Sequence, residues 1–228
     1  VDNRQAFHFK QVFRCAAKGG ILGDTVCEHC ENGTINGPDG KPFKTRDGGV
    51  MRLMDMIEMV SDSAYEKVKD SDALDDAEKR NVARAVGVAA IKIGDMLNHR
   101  SKDYVFDMDR FLSSEGKTGP YLQYTTVRIN SVLEKAAQRG EPLGELLPPA
   151  SDTERSLMLS LLSVSDALVR AYQEKAPNVI CETLFDVAGL FNRFYFENKI
   201  LTCPDPARRA SWLSLLQTTH RMQNTLLG

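Results

Sequence analysis

The chain has 228 residues, of which 42% are hydrophobic and 26% charged, with 29 Lys and Arg against 31 Asp and Glu. That balance suits one or two globular domains with an adequate core and excludes a disordered chain. No run approaches the ~18 apolar residues of a membrane helix, which excludes an integral helical membrane protein. Lys and Arg outnumber acids 8 to 6 over residues 1–53, fall behind 10 to 14 over 54–119, and equal them 11 to 11 over 120–228. There is no general excess of positive charge for coating nucleic acid, so any RNA contact is expected to be local and shape-directed. Five cysteines, an odd number in a chain of this size, fit a reducing cytosol. Val1-Asp2-Asn3-Arg4-Gln5 is polar, unlike a signal peptide, and no initiator methionine precedes it. The expectation is a cytoplasmic piece of something longer.

In chain order, the pattern predicts a helix from about Ala6 to Ala17, then short strands joined by turns. Eight of the 16 glycines fall before residue 50, and Gly37-Pro38-Asp39-Gly40 is a strong turn signal between Thr34-Ile35 and Pro42-Phe43. This stretch reads as the trailing end of an α/β sheet, with too few strands to enclose a core. From Val50 onward the periodicity is helical. Leu53, Met56, Ile57 and Val60 form one stripe, and Val82, Val86, Ala89, Ala90 and Ile93 another. Ser151-Asp152-Thr153-Glu154 has the form of a capping box opening a helix to about Lys175, with Leu157, Leu161, Val164, Leu168 and Tyr172 inward. Pro177 starts another helix, whose stripe is Ile180, Leu184, Val187, Phe191 and Phe194. Asp205-Pro206 opens the last. The expected class is mainly α: an α/β remnant over 1–53, a helical connection over 54–118 and a helical bundle over 119–228.

Three constellations could carry chemistry. Cys27-Glu28-His29-Cys30 holds half of a zinc ligand set, but Cys15, Cys181 and Cys203 are single and distant, so no metal is expected. The stretch from Gly40 to Gly49 packs Lys41, Lys44, Thr45 and Arg46 between glycines. Such a loop can wrap phosphate oxygens, and it can equally be a solvated basic loop. It lacks the glycine spacing of a Walker loop. Within 116–128, a helical projection sets Leu122, Thr126, Ile129, Leu133 and Ala136 on one arc. Tyr121, Tyr124 and Arg128 lie on another, roughly 120–130° away. Two tyrosines and an arginine can stack unpaired bases, or the tyrosines can wedge against a neighbouring helix.

At these residues the sequence resembles the C-terminal half of arginyl-tRNA synthetases, a class I family. The resemblance rests on Asp103-Tyr-Val-Phe-Asp-Met-Asp-Arg110 followed by Glu115-Gly-Lys-Thr-Gly-Pro-Tyr-Leu-Gln-Tyr124, and on the loop from Gly37 to Gly49. It rests also on Arg4-Gln5-Ala6-Phe7-His8-Phe9, on Phe191-Asn-Arg-Phe-Tyr195 and on the stretch from Arg209 to Leu216. It implies the end of a Rossmann-like catalytic domain followed by an α-helical anticodon-binding domain, and ATP-dependent attachment of arginine to its tRNA.

By this resemblance, Phe43-Lys44-Thr45-Arg46-Asp47 stands where other class I synthetases carry a Lys-Met-Ser-Lys-Ser loop. Lys44, Thr45 and Arg46 would then hold the phosphates of ATP, with Mg2+, while phenylalanine replaces the first lysine of the general motif. Gln5 falls near the arginine pocket and His8 near the nucleotide, and Tyr121, Tyr124 and Arg128 match anticodon-loop contacts. The His-x-Gly-His element of class I catalysis is absent from the sequence. The expected role is therefore the C-terminal part of a monomeric arginine–tRNA ligase, inactive by itself. The alternative is a non-catalytic, synthetase-derived module that binds RNA.

Overall fold

Local signals set the helix ends. The computed structural model describes residues 1–41 and 51–227. Helix α1 (Ala6–Lys18) follows a short 3-10 turn, Asn3–Gln5, that is capped where Asp2 Oδ1 accepts from the Arg4 N–H at 2.8 Å. It stops because Gly20 takes φ +71°, letting the Ile21 N–H reach the Ala16 carbonyl and the Gly20 N–H the Ala17 carbonyl. The turn at Gly37–Gly40 forms as the sequence implied, closed by Gly40 N–H donating to Gly37 O at 2.9 Å. The described residues before 42 hold only one two-residue strand, β1 (Ile35–Asn36), and not several joined by turns. Its parallel partner is β2 (Tyr104–Val105), with Ile35 opposite Tyr104 and Asn36 opposite Val105. Asp103 Oδ1 secures the approach by accepting from the Thr34 N–H at 2.7 Å.

Helices α2 (Leu53–Val68) and α3 (Asp76–Met96) form a hairpin around Met56, Val60, Ala64, Ala83 and Ala90, which Phe106, Phe111 and Leu112 close. Phe111 belongs to the short helix α4 (Met108–Phe111). The two predicted stripes are rotated at their edges: Leu53 and Val82 are exposed, while Ala83 and Gly87 are buried. Small residues win the buried positions because the helix backbones come close. A Cβ on Gly87 would lie 2.7 Å from Ser61 Oγ and 3.0 Å from its Cα.

Helices α5 (Gly119–Gln138), α6 (Asp152–Leu162), α8 (Asn178–Glu197) and α9 (Pro206–Leu227) share a core of Ile129, Val132, Leu157, Phe191, Phe194, Leu213 and Leu216. The Pro177 stripe is buried from Leu184 through Phe194. A second cluster, Ile93 with Leu122, Cys181, Leu184, Phe185 and Ala188, joins α3 to the bundle. The helix opened at Ser151 does not run to Lys175, because Ser163 breaks it and a separate helix, α7 (Val164–Glu174), follows. The break rotates the stripe, so Leu157, Leu161 and Val164 are buried while Leu168 and Tyr172 are exposed.

The capping box is only half made. Ser151 Oγ accepts from the Glu154 N–H at 3.2 Å, but the Glu154 carboxylate is buried and turned elsewhere. It accepts from the Ala150 N–H at 2.8 Å and pairs with Arg208 Nη1 at 3.2 Å. Arg208 also donates to the Pro148 carbonyl at 2.8 Å. A buried carboxylate costs several kcal/mol unless charge and hydrogen bonds compensate it; Arg208 of α9 supplies the charge and one hydrogen bond, and the Ala150 N–H the other.

Candidate nucleic-acid interface

The Tyr–Arg stripe of α5 meets α8 along a polar seam. Thr118 caps α5 by accepting from the Tyr121 N–H at 3.2 Å, and Pro120 pre-sets its first turn. The cap fixes the phase of the helix: Leu122, Thr125, Ile129 and Val132 turn inward and Tyr124 outward. Tyr121 is half-buried, its ring 6.1 Å from that of Phe185, and so it wedges against α8. Tyr124 is 56% exposed. Sequence periodicity put the two tyrosines on one arc, and tertiary packing gives them different surroundings.

Arg128 connects them. Its Nη2 donates to Tyr124 Oη at 2.9 Å and its Nη1 to Asn192 Oδ1 at 2.7 Å. The guanidinium carbon lies 4.6 Å from the Tyr124 ring centroid and 5.2 Å from that of Tyr195, within cation–π range of both. Asn192 Nδ2 in turn donates to Tyr121 Oη at 2.9 Å. The three predicted residues are thus brought into one network, to which α8 adds Asn192 and Tyr195. Neither was singled out from the sequence by itself. The available signal was the run Phe191-Asn-Arg-Phe-Tyr195, in which the core positions Phe191 and Phe194 leave Asn192 and Tyr195 on one flank. Phe196 stands beside them at 90% exposure. Exposed aromatic rings with a fixed cation make a surface suited to stacking bases and meeting phosphate.

The other predicted site residues that are described, Gln5 and His8, belong to the N-terminal segment and not to this network. Gln5 ends the 3-10 turn before α1 and is exposed. His8, on the first turn of α1, is exposed with its ring edge-on to Phe9 at 5.7 Å. Lys44, Thr45 and Arg46 fall outside the described residues. His29 stacks on Phe9 at 5.0 Å and places Nε2 3.2 Å from the Val1 carbonyl, and among the described residues no group of three His, Cys, Asp or Glu side chains could hold a metal. Cys181, in the bundle, has its thiol pushed up to about 11, by burial first and then by the charge of Glu182. Burial also drives the Tyr104 hydroxyl well above the usual phenol range, aided by its hydrogen bond to Asp95 at 2.8 Å. No described helix is long and apolar enough to cross a membrane.

Two family models divide the chain between them. The catalytic domain of "tRNA synthetases class I (R)" matches residues 1–108, and the "DALR anticodon binding domain" matches residues 122–228. The chain belongs to the class I arginyl-tRNA synthetase family. An "Arginine--tRNA ligase" from Alkaliphilus oremlandii is 45% identical over 229 residues, an alignment spanning 100% of this chain and 39% of that protein. One from Agathobacter rectalis is 44% identical over 230 residues, covering 96% of this chain and 38% of the relative. The arginyl-tRNA synthetase of Thermus thermophilus superimposes with a TM-score of 0.72 at 30% identity, over 87% of this chain and 33% of the other. The chain therefore spans well under half the length of these synthetases, and it matches their C-terminal part. The Tyr–Arg network begins at Tyr121, where the match to the anticodon-binding family begins at residue 122. As the resemblance implied, a remnant of the catalytic domain leads into a helical anticodon-binding domain.

Proposed function

We propose that this chain works as the C-terminal part of an arginine–tRNA ligase and binds the anticodon loop of the tRNA through Tyr124 and Arg128, supported by Tyr121. The observation that carries the reading is the exposed Tyr124 ring under a guanidinium held in place, within the stretch that matches the anticodon-binding family. In the whole enzyme the arginine carboxylate attacks the α-phosphate of ATP, bound with Mg2+, and expels pyrophosphate to leave arginyl-adenylate. A terminal hydroxyl of the tRNA then takes the arginyl group and releases AMP. Lys44, Thr45 and Arg46 stabilise the charge growing on pyrophosphate, while Gln5 and His8 border the arginine and nucleotide pockets. Residues 1–53 serve the catalytic domain, 54–118 connect, and 119–228 hold the tRNA. The protein acts as a monomer in the cytoplasm, where its substrates are.

The test is tRNA titration at fixed salt with Tyr124→Ala and Arg128→Ala, using the cognate transcript and one with an altered anticodon loop. Each substitution is expected to weaken cognate binding by about 1–3 kcal/mol with little change in melting temperature. Equal loss for both transcripts, or normal binding by both variants, removes the anticodon assignment. The chain alone is expected to give no arginine-dependent ATP–pyrophosphate exchange, since it spans only 39% of its relatives and has no His-x-Gly-His element. In the full-length enzyme, Arg46→Ala should slow adenylate formation by about tenfold to a thousandfold. Unchanged single-turnover kinetics would exclude the loop from the chemistry.

A further inference from the structure

Asn192 is a neutral amide used at both ends across the α5–α8 seam. Its Oδ1 accepts from Arg128 Nη1 at 2.7 Å, and its Nδ2 donates to Tyr121 Oη at 2.9 Å, with a longer approach to Thr125 Oγ1 at 3.4 Å. The chemistry fixes the orientation, because a flipped amide would set its N–H2 against a guanidinium that has only donors. The helices do not need this amide to associate. Leu122, Leu184, Phe185 and Ala188 already pack them with apolar side chains. The partners of Arg128 are an amide, a phenol hydroxyl and two aromatic faces, and among the described residues no carboxylate pairs with it. Two of its five N–H groups are committed in these contacts, and its charge is not neutralised.

We infer that Asn192 is a positioning residue for tRNA recognition, holding Arg128 in one orientation over Tyr124 and Tyr195 with its charge reserved for the RNA. The inference rests on the anticodon reading of Tyr124 and Arg128. A free arginine side chain samples many rotamers, and fixing it beforehand removes that ordering cost from the binding step. A carboxylate at the same place would fix the side chain equally well but would cancel the charge that the phosphate backbone needs. The neutral amide satisfies both requirements. A purely structural amide, by contrast, would have no reason to avoid a carboxylate.

Two substitutions separate these roles, with melting temperature recorded for each. Asn192→Leu keeps the branched shape, though with bulkier methyl groups, and removes both hydrogen bonds, and it is expected to weaken binding of the cognate transcript about tenfold while leaving the anticodon-altered transcript unchanged. On an Arg128→Ala background, Asn192→Leu should add less than about twofold, because its effect passes through Arg128. Asn192→Asp should retain or raise the melting temperature by pairing with Arg128. It should nonetheless bind more weakly and lower the slope of log affinity against log salt by about 0.7–0.9, the contribution of one phosphate contact. Wild-type affinity in folded Asn192→Leu, independent losses in the double variant, or full affinity in Asn192→Asp overturns the positioning role. If Arg128→Ala and Tyr124→Ala both leave cognate binding intact, the anticodon reading falls and takes this one with it, and if Arg128→Ala alone does so, the role of Asn192 falls with that of Arg128. If Arg128→Ala weakens binding and Asn192→Leu does not, only the role of Asn192 falls.

Discussion

Helices α1 and α8 are similarly rich in aromatic rings, Phe7, Phe9 and Phe13 against Phe185, Phe191, Phe194, Tyr195 and Phe196 in a longer helix, yet α1 buries no residue and α8 buries eight. Phe7 is 71% exposed, whereas Phe191 and Phe194 are wholly inaccessible. Both helices form, because end signals and periodicity are local: Asp2 caps the 3-10 turn that leads into α1, and the left-handed Gly20 follows its far end. Burial is not local. Helix α8 lies among α5, α6, α7 and α9, and its stripe meets theirs, while among the described residues the ring contacts of α1 are those of Phe9 with His8, Phe13 and His29. An amphipathic pattern thus states that a helix has a face to cover and leaves open what covers it.

The largest expected effect tests this contrast directly. Phe191→Ala should cost about 3–5 kcal/mol in chemical denaturation, as for a deleted core aromatic, whereas Phe7→Ala should stay within about 0.5 kcal/mol. Comparable losses at the two positions would show that α1 contributes to the same cooperative core. Close behind comes Arg208→Ala, which leaves the Glu154 carboxylate buried without its charge partner and should cost about 3–5 kcal/mol. The loss should shrink on a Glu154→Gln background, where no charge is left to strand. A loss that is the same on both backgrounds would assign the effect to packing.

The thiols offer a third comparison between the same helices. Cys15 of α1 is exposed and Cys181 of α8 is buried, its thiol raised from 9.0 to about 11. A thiol reagent at pH 8 should therefore label Cys15 and Cys30 first and Cys181 last, which peptide mapping would resolve. The raised value also fixes a sign. Folded and unfolded chains bind this proton equally below pH 9, and the folded chain holds it longer between pH 9 and 11. Stability from this group is therefore present below pH 9 and lost as pH rises toward 11. Serine at position 181 should flatten that alkaline limb.

The smallest effect lies where the two regions touch. Lys175 ends α7 at φ +51°, a left-handed conformation that disfavours a side chain. It is held there by Arg100 Nε donating to its carbonyl at 2.9 Å and by its Nζ on Glu28 at 3.0 Å. Lys175→Gly should raise stability by up to about 1 kcal/mol, the relief of backbone strain less a weak exposed ion pair. A loss instead would mean that the Glu28 contact outweighs the strain.

Much of this molecule follows from sequence alone. Helix limits at Ala6, Pro177 and Pro206, the turn at Gly37–Gly40, and the inward positions Leu122, Ile129, Leu184, Phe191 and Phe194 are dictated by caps, glycine and proline stereochemistry and apolar spacing. So is the pairing of Tyr124 with Arg128, four residues apart on an exposed flank, and the order of the motifs suffices to place the chain in its family. What needed tertiary structure are relations between distant segments, which no local pattern encodes. Strand β1 finds its partner 69 residues later, Glu154 leaves its own cap for Arg208, and Ser163 turns Leu168 and Tyr172 outward. Asn192 and Tyr195 join Tyr121, Tyr124 and Arg128 only because α8 lies against α5. A side chain's role in a site depends on which groups the fold sets across from it, and periodicity along one helix reports only which way that side chain points.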